Sequence, residues 1–453
     1  MSAQMQPAKT QHAARRSVSL ALAIGVTVPG VWLRFASAHP PDVVAAVVYG
    51  LAIVGAAFLL SWAAEVAQLD ISAGLAIAVL AFIAVLPEYA VDMVFASKGG
   101  NAVQLFGTAC KASGASGESA CSLALANMTG ANRLLIGLGW SMVVFIAWHR
   151  ARGRGPRTEQ DARTPRLREV RLERSHSVEV TYLALATAYS LLLPLKHSVT
   201  PIDALVLVGI FVAYTIRISR APAGQPHLVG PAELLGRLPK RQRRVTVVGL
   251  FLVSATVIVL CAEHFAEALV GTGREFGISE FLLVQWLAPL ASEAPELLIA
   301  GLYAWRLNTN AGLGTLVSSK VNQWTLLVGT LPIVFAIASG GLHGLPIDGH
   351  QREELFLTAA QSFFAVAVLV TLSISTREAL LLFSLFWAQF VIGAAVPDSF
   401  GGIELIAVGV AYVLLGAATL VRQRGLLRAL LRDGFRTPYR EMATIDGWTP
   451  ELS

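Results

Sequence analysis

The sequence predicts an all-α polytopic membrane protein of about twelve transmembrane helices, built as two inverted-topology five-helix repeats with extra terminal helices. Three observations carry this expectation. Hydrophobic residues make up 55% of the 453 and charged residues only 14%, where a soluble domain carries about 25% charged residues. Mean hydropathy is +0.62. Apolar runs recur along the whole chain, and two of them, five runs apart, carry the same Pro-Glu pair.

Roughly 20 consecutive apolar residues span the hydrocarbon core as a helix. Twelve runs qualify, at approximately 18–36, 42–62, 72–97, 122–148, 179–195, 201–219, 245–268, 278–305, 312–338, 356–374, 379–396 and 402–420. The first follows Arg15-Arg16 and ends near ASAHP, the pattern of a secretory signal with a small-residue cleavage site. Arg34 interrupts its end, so a retained first helix is the expectation and cleavage the alternative.

Basic residues set the orientation. Nine arginines lie between Arg150 and Arg174, a second cluster ends LPKRQRRV at 238–245, and the tail VRQRGLLRALLRDGFR is the third. Lysine and arginine near span ends mark the cytoplasmic side. With the N-terminus inside, twelve spans place all three clusters there, so both termini are cytoplasmic, as in a bacterial inner-membrane protein. The net charge of +6 therefore serves topology and contact with anionic headgroups of the bilayer, and no nucleic-acid partner is expected. Residues 1–40 form a tail and extra first helix, 41–220 the first repeat, 221–244 a basic linker, 245–400 the second repeat, and 401–453 the extra last helix and basic tail.

Cys110 and Cys121 share the loop 98–121, which this topology places outside, where disulfides persist. A bridge is expected, with two unpaired thiols the alternative. Cys261 lies in an apolar run and reads as packing.

The polar residues inside the runs carry the functional signal. AFIAVLPEYAVDMVFA at 81–96 and LAPLASEAPELLI at 287–299 each set a proline beside a glutamate. Proline removes a backbone donor and interrupts a helix, which frees carbonyl oxygens at membrane depth. Oxygen ligands suit calcium or sodium. A carboxylate at the bilayer centre costs roughly 2.5–3.5 kcal/mol on insertion scales, which marks it as functional. Glu88 and Glu296 are therefore expected to bind a cation. Structural prolines, with glutamates paired to arginines, are the bland alternative. Each Pro-Glu run is followed by a polar, small-residue run: ALANMTGANRLLIGLGW in the first half, GLGTLVSSKVNQWTLLVGTLP in the second. An offset of five spans is odd, so the two copies cross in opposite directions.

These pairs resemble the two alpha-repeats of the calcium/cation antiporter superfamily, the sodium/calcium exchanger membrane region, which read roughly G-T-S-L-P-E-L and then G-N-x-x-G-S-N. Here they stand as IAVLPEY with ANMTGAN, and ASEAPEL with GTLVSSK. The resemblance implies an antiporter without a cofactor, moving calcium or sodium in exchange for protons or sodium. It puts the essential glutamates on Glu88 and Glu296, and the polar helix positions on Asn127, Asn132, Ser318 and Ser319. Ala84 and Val85 replace hydroxyls before the first Pro-Glu, which removes sodium ligands. The second repeat keeps Ser292 but has Glu293 where serine is usual. Lys320 stands at the position matching Asn132, where the family has Asn or Asp. It is expected to pair with Glu296, Glu293 or Glu88 and to change partners during transport. Four carboxylates against one ammonium still leave the site negative, as a cation requires.

Asp92, one helical turn after Glu88, either lines the site or is an interfacial acid. Glu263, His264 and Glu267 read as a local polar group, with a proton relay as the sharper alternative. Asn322, Gln323, Gln361 and Gln389 read as interhelical hydrogen-bonders, and Gly137 and Gly139 as close-packing positions. An intramembrane enzyme would need a recognisable site, and the chain has no HExxH, GxSxG, GxxxxGK[ST] or CxxC. A degenerate family member acting as a non-transporting scaffold or regulator is the alternative function.

Overall fold

The computed structural model describes residues 6–36, 38, 40–70, 86–107, 110–111, 117–152, 169–221, 228–395 and 402–445. It is almost entirely helical, and a helix overlaps each of the twelve expected spans. Among the described residues, eight helices are long and apolar enough to cross a membrane. Many large apolar side chains face outward, Leu22, Trp32, Leu252, Val259 and Leu414 among them, each about two-thirds exposed. Such a surface is costly in water and suits lipid.

The chain forms two compact units, one from Met1–Val94 and Ala221–Pro295, the other from Phe95–Arg220 and Glu296–Ser453. Each draws on both halves of the sequence.

In the first unit the helices Gln6–Phe35, Asp42–Ala67 and Lys240–Phe276 pack through small residues. A Cβ added to Gly30 would lie 2.5 Å from that of Ala52, and one on Gly50 would lie 3.0 Å from the Phe265 ring. Close approach of this kind supplies dispersion contact where lipid offers no hydrophobic drive. Around Leu59, Trp62, Ala63 and Val66 a core closes with Ala232 and Leu235 of the short helix Pro231–Gly236. Cys261 is buried in this unit. Below the core, Asp70 takes a two-pronged pair from Arg243, at 2.7 and 2.9 Å, with Arg244 on the same carboxylate. The Arg243 hydrogen bond holds the Asp70 carboxyl below the usual carboxylate range. The expected linker 221–244 is thus partly helical, and residues 222–227 of it lie outside the described residues. The Lys240–Phe276 helix ends at Gly277, whose φ of 64° is left-handed.

The second unit holds the two polar helices, Ala120–Arg152 and Thr309–Ala338. Around them stand Ser177–Ser190, Pro201–Ile218, Gly349–Leu369, Thr376–Ala395 and Ile403–Phe435. Capping boxes start two of these: Thr200 with Asp203, and Asp348 with Gln351. Two short antiparallel pairings lie outside the helices, Glu169–Arg171 with Ser373–Ser375 and Ser198–Val199 with Leu345–Pro346. Cys110 and Cys121 are joined in a disulfide, with Cα atoms 6.0 Å apart.

Candidate functional site

Glu88 and Asp92 of the first unit are each 1% exposed, on the helix Leu86–Phe106. Ala84 and Val85 lie outside the described residues. On Glu280–Trp305 the expectation of an interrupted helix is corrected, because the helix runs unbroken through Pro289 and Pro295. Each proline deprives one carbonyl, four residues back, of its donor, while the flanking bonds and packing carry the helix through. Ser292 is buried and turns its hydroxyl back to the carbonyls of Ala288 (3.3 Å) and Pro289 (3.2 Å). Glu293 is fully buried in the first unit; Glu296, half-buried, belongs to the second.

In the second unit the polar helices share a backbone device. Ala120–Leu134 passes into a π-helical segment, Leu135–Trp140, and Thr309–Asn322 into another, Gln323–Leu327. Each begins three residues after the corresponding position, Asn132 or Lys320. Widened turns of this type are rare and gather at functional sites.

Asn132 and Lys320, both fully buried, touch each other. The Lys320 ammonium donates to the Asn132 backbone carbonyl at 2.7 Å and to its side-chain Oδ1 at 2.6 Å. The Asn132 amide nitrogen donates to the Met128 carbonyl at 2.9 Å, which turns Oδ1 toward the lysine. Trp324 lies under the ammonium, 4.9 Å from its ring centre, and is fixed by its indole donating to Ser362 Oγ at 2.6 Å. Two oxygens and an aromatic face thus receive the Lys320 ammonium.

Of the other expected site residues, Asn127 and Ser319 are buried. Ser318 is half-buried. Asn322, Gln323 and Gln361 are buried, and Gln389 accepts from Arg133 across helices. Gly137 and Gly139 give room to Phe386 and Leu297 respectively. In the first unit Glu263 and Glu267 are exposed, and His264 meets the Tyr49 ring edge-on at 5.4 Å. Among the described residues no three His, Cys, Asp or Glu side chains form a metal-holding cluster.

The sequence reading passed over Arg133. Its guanidinium is 1% exposed, with Glu354 at 2.7 Å and Gln389 Oε1 at 3.1 Å. The signal was present, since an arginine in the middle of an apolar run is a functional candidate in its own right.

The model of the family described as sodium/calcium exchanger protein matches residues 42–219 and 246–393. A crystal structure described as the H+/Ca2+ exchanger CAX is 38% identical, with a TM-score of 0.81, covering 95% of this chain and 99% of that one. A structure of YfkE, described as a Ca2+/H+ antiporter protein, shares the fold at 15% identity and a TM-score of 0.53, over 88% of this chain and 99% of that one. No curated protein sequence matches. Helices fit to cross a membrane, the paired polar helices and the family match over most of the chain lead to one conclusion: the chain belongs to the sodium/calcium exchanger family, and it is a cation antiporter of the membrane rather than an enzyme.

Proposed function

We propose that the chain exchanges calcium for protons by alternating access, with the cation bound near mid-membrane by Glu88 and Glu296. The ion assignment is carried by the 38% identity, over nearly the whole length, with a protein described as an H+/Ca2+ exchanger. Calcium takes about six to eight oxygen ligands. Asp92, Ser292, Glu293, Asn127, Asn132, Ser318 and Ser319 supply further oxygens in this reading, and freed carbonyls beside the prolines add to them. A carboxylate that releases its cation takes a proton, so the empty site turns to the other side without bare carboxylate charge. Ala84 and Val85, which lack hydroxyls, speak for protons over sodium as the counter-ion. Lys320 acts as a resident cation that leaves the site room for a single substrate ion, and it changes partners during the cycle.

The protein sits in a bacterial inner membrane with both termini cytoplasmic, and its three basic clusters meet anionic headgroups. External reagents should fail to label a cysteine placed in the 150–178 loop; labelling there would overturn the topology.

Purified protein in liposomes provides the test of function. A pH gradient alone should drive calcium flux with sodium absent. Flux that follows a sodium gradient at clamped pH would overturn proton coupling. No flux of calcium, sodium or potassium under either gradient would leave the non-transporting scaffold.

A further inference from the structure

We infer that Arg133, clamped by Glu354 and Gln389, is a positioning residue that sets Asn132 against Lys320, and thereby tunes how the transport site holds its cation. The inference rests on the reading that Asn132 and Lys320 belong to that site.

Arg133 follows Asn132 directly, so their side chains leave the helix about 100° apart. Asn132 faces the second polar helix, where its two oxygens receive the Lys320 ammonium. Arg133 faces away, toward Glu354 on Gly349–Leu369 and Gln389 on Thr376–Ala395. One guanidinium thus fixes the rotation of the first polar helix against two neighbours. The next residues, Leu135–Trp140, are π-helical, a segment where the turn is widened and the register of backbone bonds changes. A helix with such a segment needs an outside reference if the residues just before it are to keep their direction.

Stability gives a poor account of the clamp. A buried ion pair replaced by apolar residues of similar volume is often no worse, because two charges have been taken from water to make it. A planar guanidinium that pairs with Glu354 by charge while donating a hydrogen bond to Gln389 is what arginine supplies and an apolar residue does not. The clamp therefore supplies direction. Groups of this kind, one shell out from a bound ion, alter affinity or activity by roughly 10–100-fold when removed.

The test uses full-length protein in liposomes, with calcium flux measured over a range of calcium concentrations. The double variant R133M/E354L removes both charges and keeps the volume. It should fold with a melting temperature near that of the wild type and show a KM for calcium raised by roughly 10-fold or more. Q389L, which leaves the ion pair in place, should move KM the same way by less, and R133K should recover part of the loss. In a K320N background the clamp substitutions should have a smaller effect, because the ammonium against which they set Asn132 is gone. Unchanged KM and maximal rate in both R133M/E354L and Q389L would overturn the inference. Clamp effects of equal size in the wild-type and K320N backgrounds would also overturn it, since the clamp would then act elsewhere. If R133M/E354L does not fold, Q389L and R133K decide alone. K320N on its own separates the two layers: wild-type ion preference and pH profile in K320N would remove Lys320 from the site, whereas an altered K320N with a silent clamp would sink this inference only.

Discussion

The two polar helices of the second unit are alike in backbone and unlike in the side chains that matter. Both pass from α into π three residues after a corresponding position. One helix has Asn132 there, followed by the buried cation Arg133; the other has Lys320, followed by Val321. The corresponding positions touch, so each meets the residue that matches it in the other helix. Two lysines would place like charges together without water, whereas an asparagine and a lysine complement each other as acceptor and donor. The repeat thus keeps its backbone device and diverges where identity would be penalised.

The most disruptive way to break this complementarity is Asn132→Lys. It would bury a second ammonium against Lys320 and should destabilise the protein by about 3–5 kcal/mol, the cost of an uncompensated buried charge. Thermal unfolding in detergent would read it, and a melting temperature near wild type would show that this contact tolerates like charges. The Pro-Glu sites sharpen the comparison between repeats. Glu88→Gln and Glu296→Gln should each lower calcium flux by at least roughly 100-fold, the upper end of the cost of disturbing a group near a bound ion, with folding retained. A variant that transports at the wild-type rate would show that its repeat supplies no ligand.

A smaller effect is expected at Gly137, in the first π segment, where an added Cβ would run into the Phe386 ring. Gly137→Ala should cost about 1–3 kcal/mol as overpacking, and Phe386→Leu in the same chain should restore much of it. If Gly137→Ala melts like wild type, close approach is not what this position requires. The smallest effect lies outside both polar helices. Asp70→Asn removes the forked pair with Arg243 and should cost roughly 1 kcal/mol at pH 7. The Asp70 carboxyl is held below the usual range, so its stabilisation is complete above the unfolded value of about 4 and fades as pH falls through the folded one. Melts of wild type and variant should therefore converge in acid. A difference that persists well below about pH 4 would assign the loss to packing.

Much of this architecture was legible in the sequence, because spans are written in hydropathy and the bilayer permits little besides helices. The Pro-Glu pairs stood out as polar groups in apolar runs, and the resemblance of the repeats gave the Asn132–Lys320 correspondence. What escaped was whatever depends on distant partners. Arg133 finds Glu354 and Gln389 more than two hundred residues downstream, and no local pattern announces that meeting. The two short strand pairings are two and three residues long, too brief for periodicity. Hydropathy also ends a helix where charges begin, yet Lys240–Phe276 starts inside the basic linker and Ile403–Phe435 continues into the basic tail, since Lys, Arg and Leu are all good helix formers. The unbroken helix through Pro289 and Pro295 is the reverse case, a local rule outweighed by its surroundings.

Closure of the Cys110–Cys121 bridge ties the manufacture of this protein to the compartment its loop reaches. Thiols stay reduced in a mesophilic cytosol and pair beyond the membrane, so in the proposed topology the bond forms after the loop has been exported. Molecules with the loop stranded inside keep two free thiols. A mobility shift on a non-reducing gel, or alkylation in intact cells, then counts correctly inserted chains without any reporter fused to them.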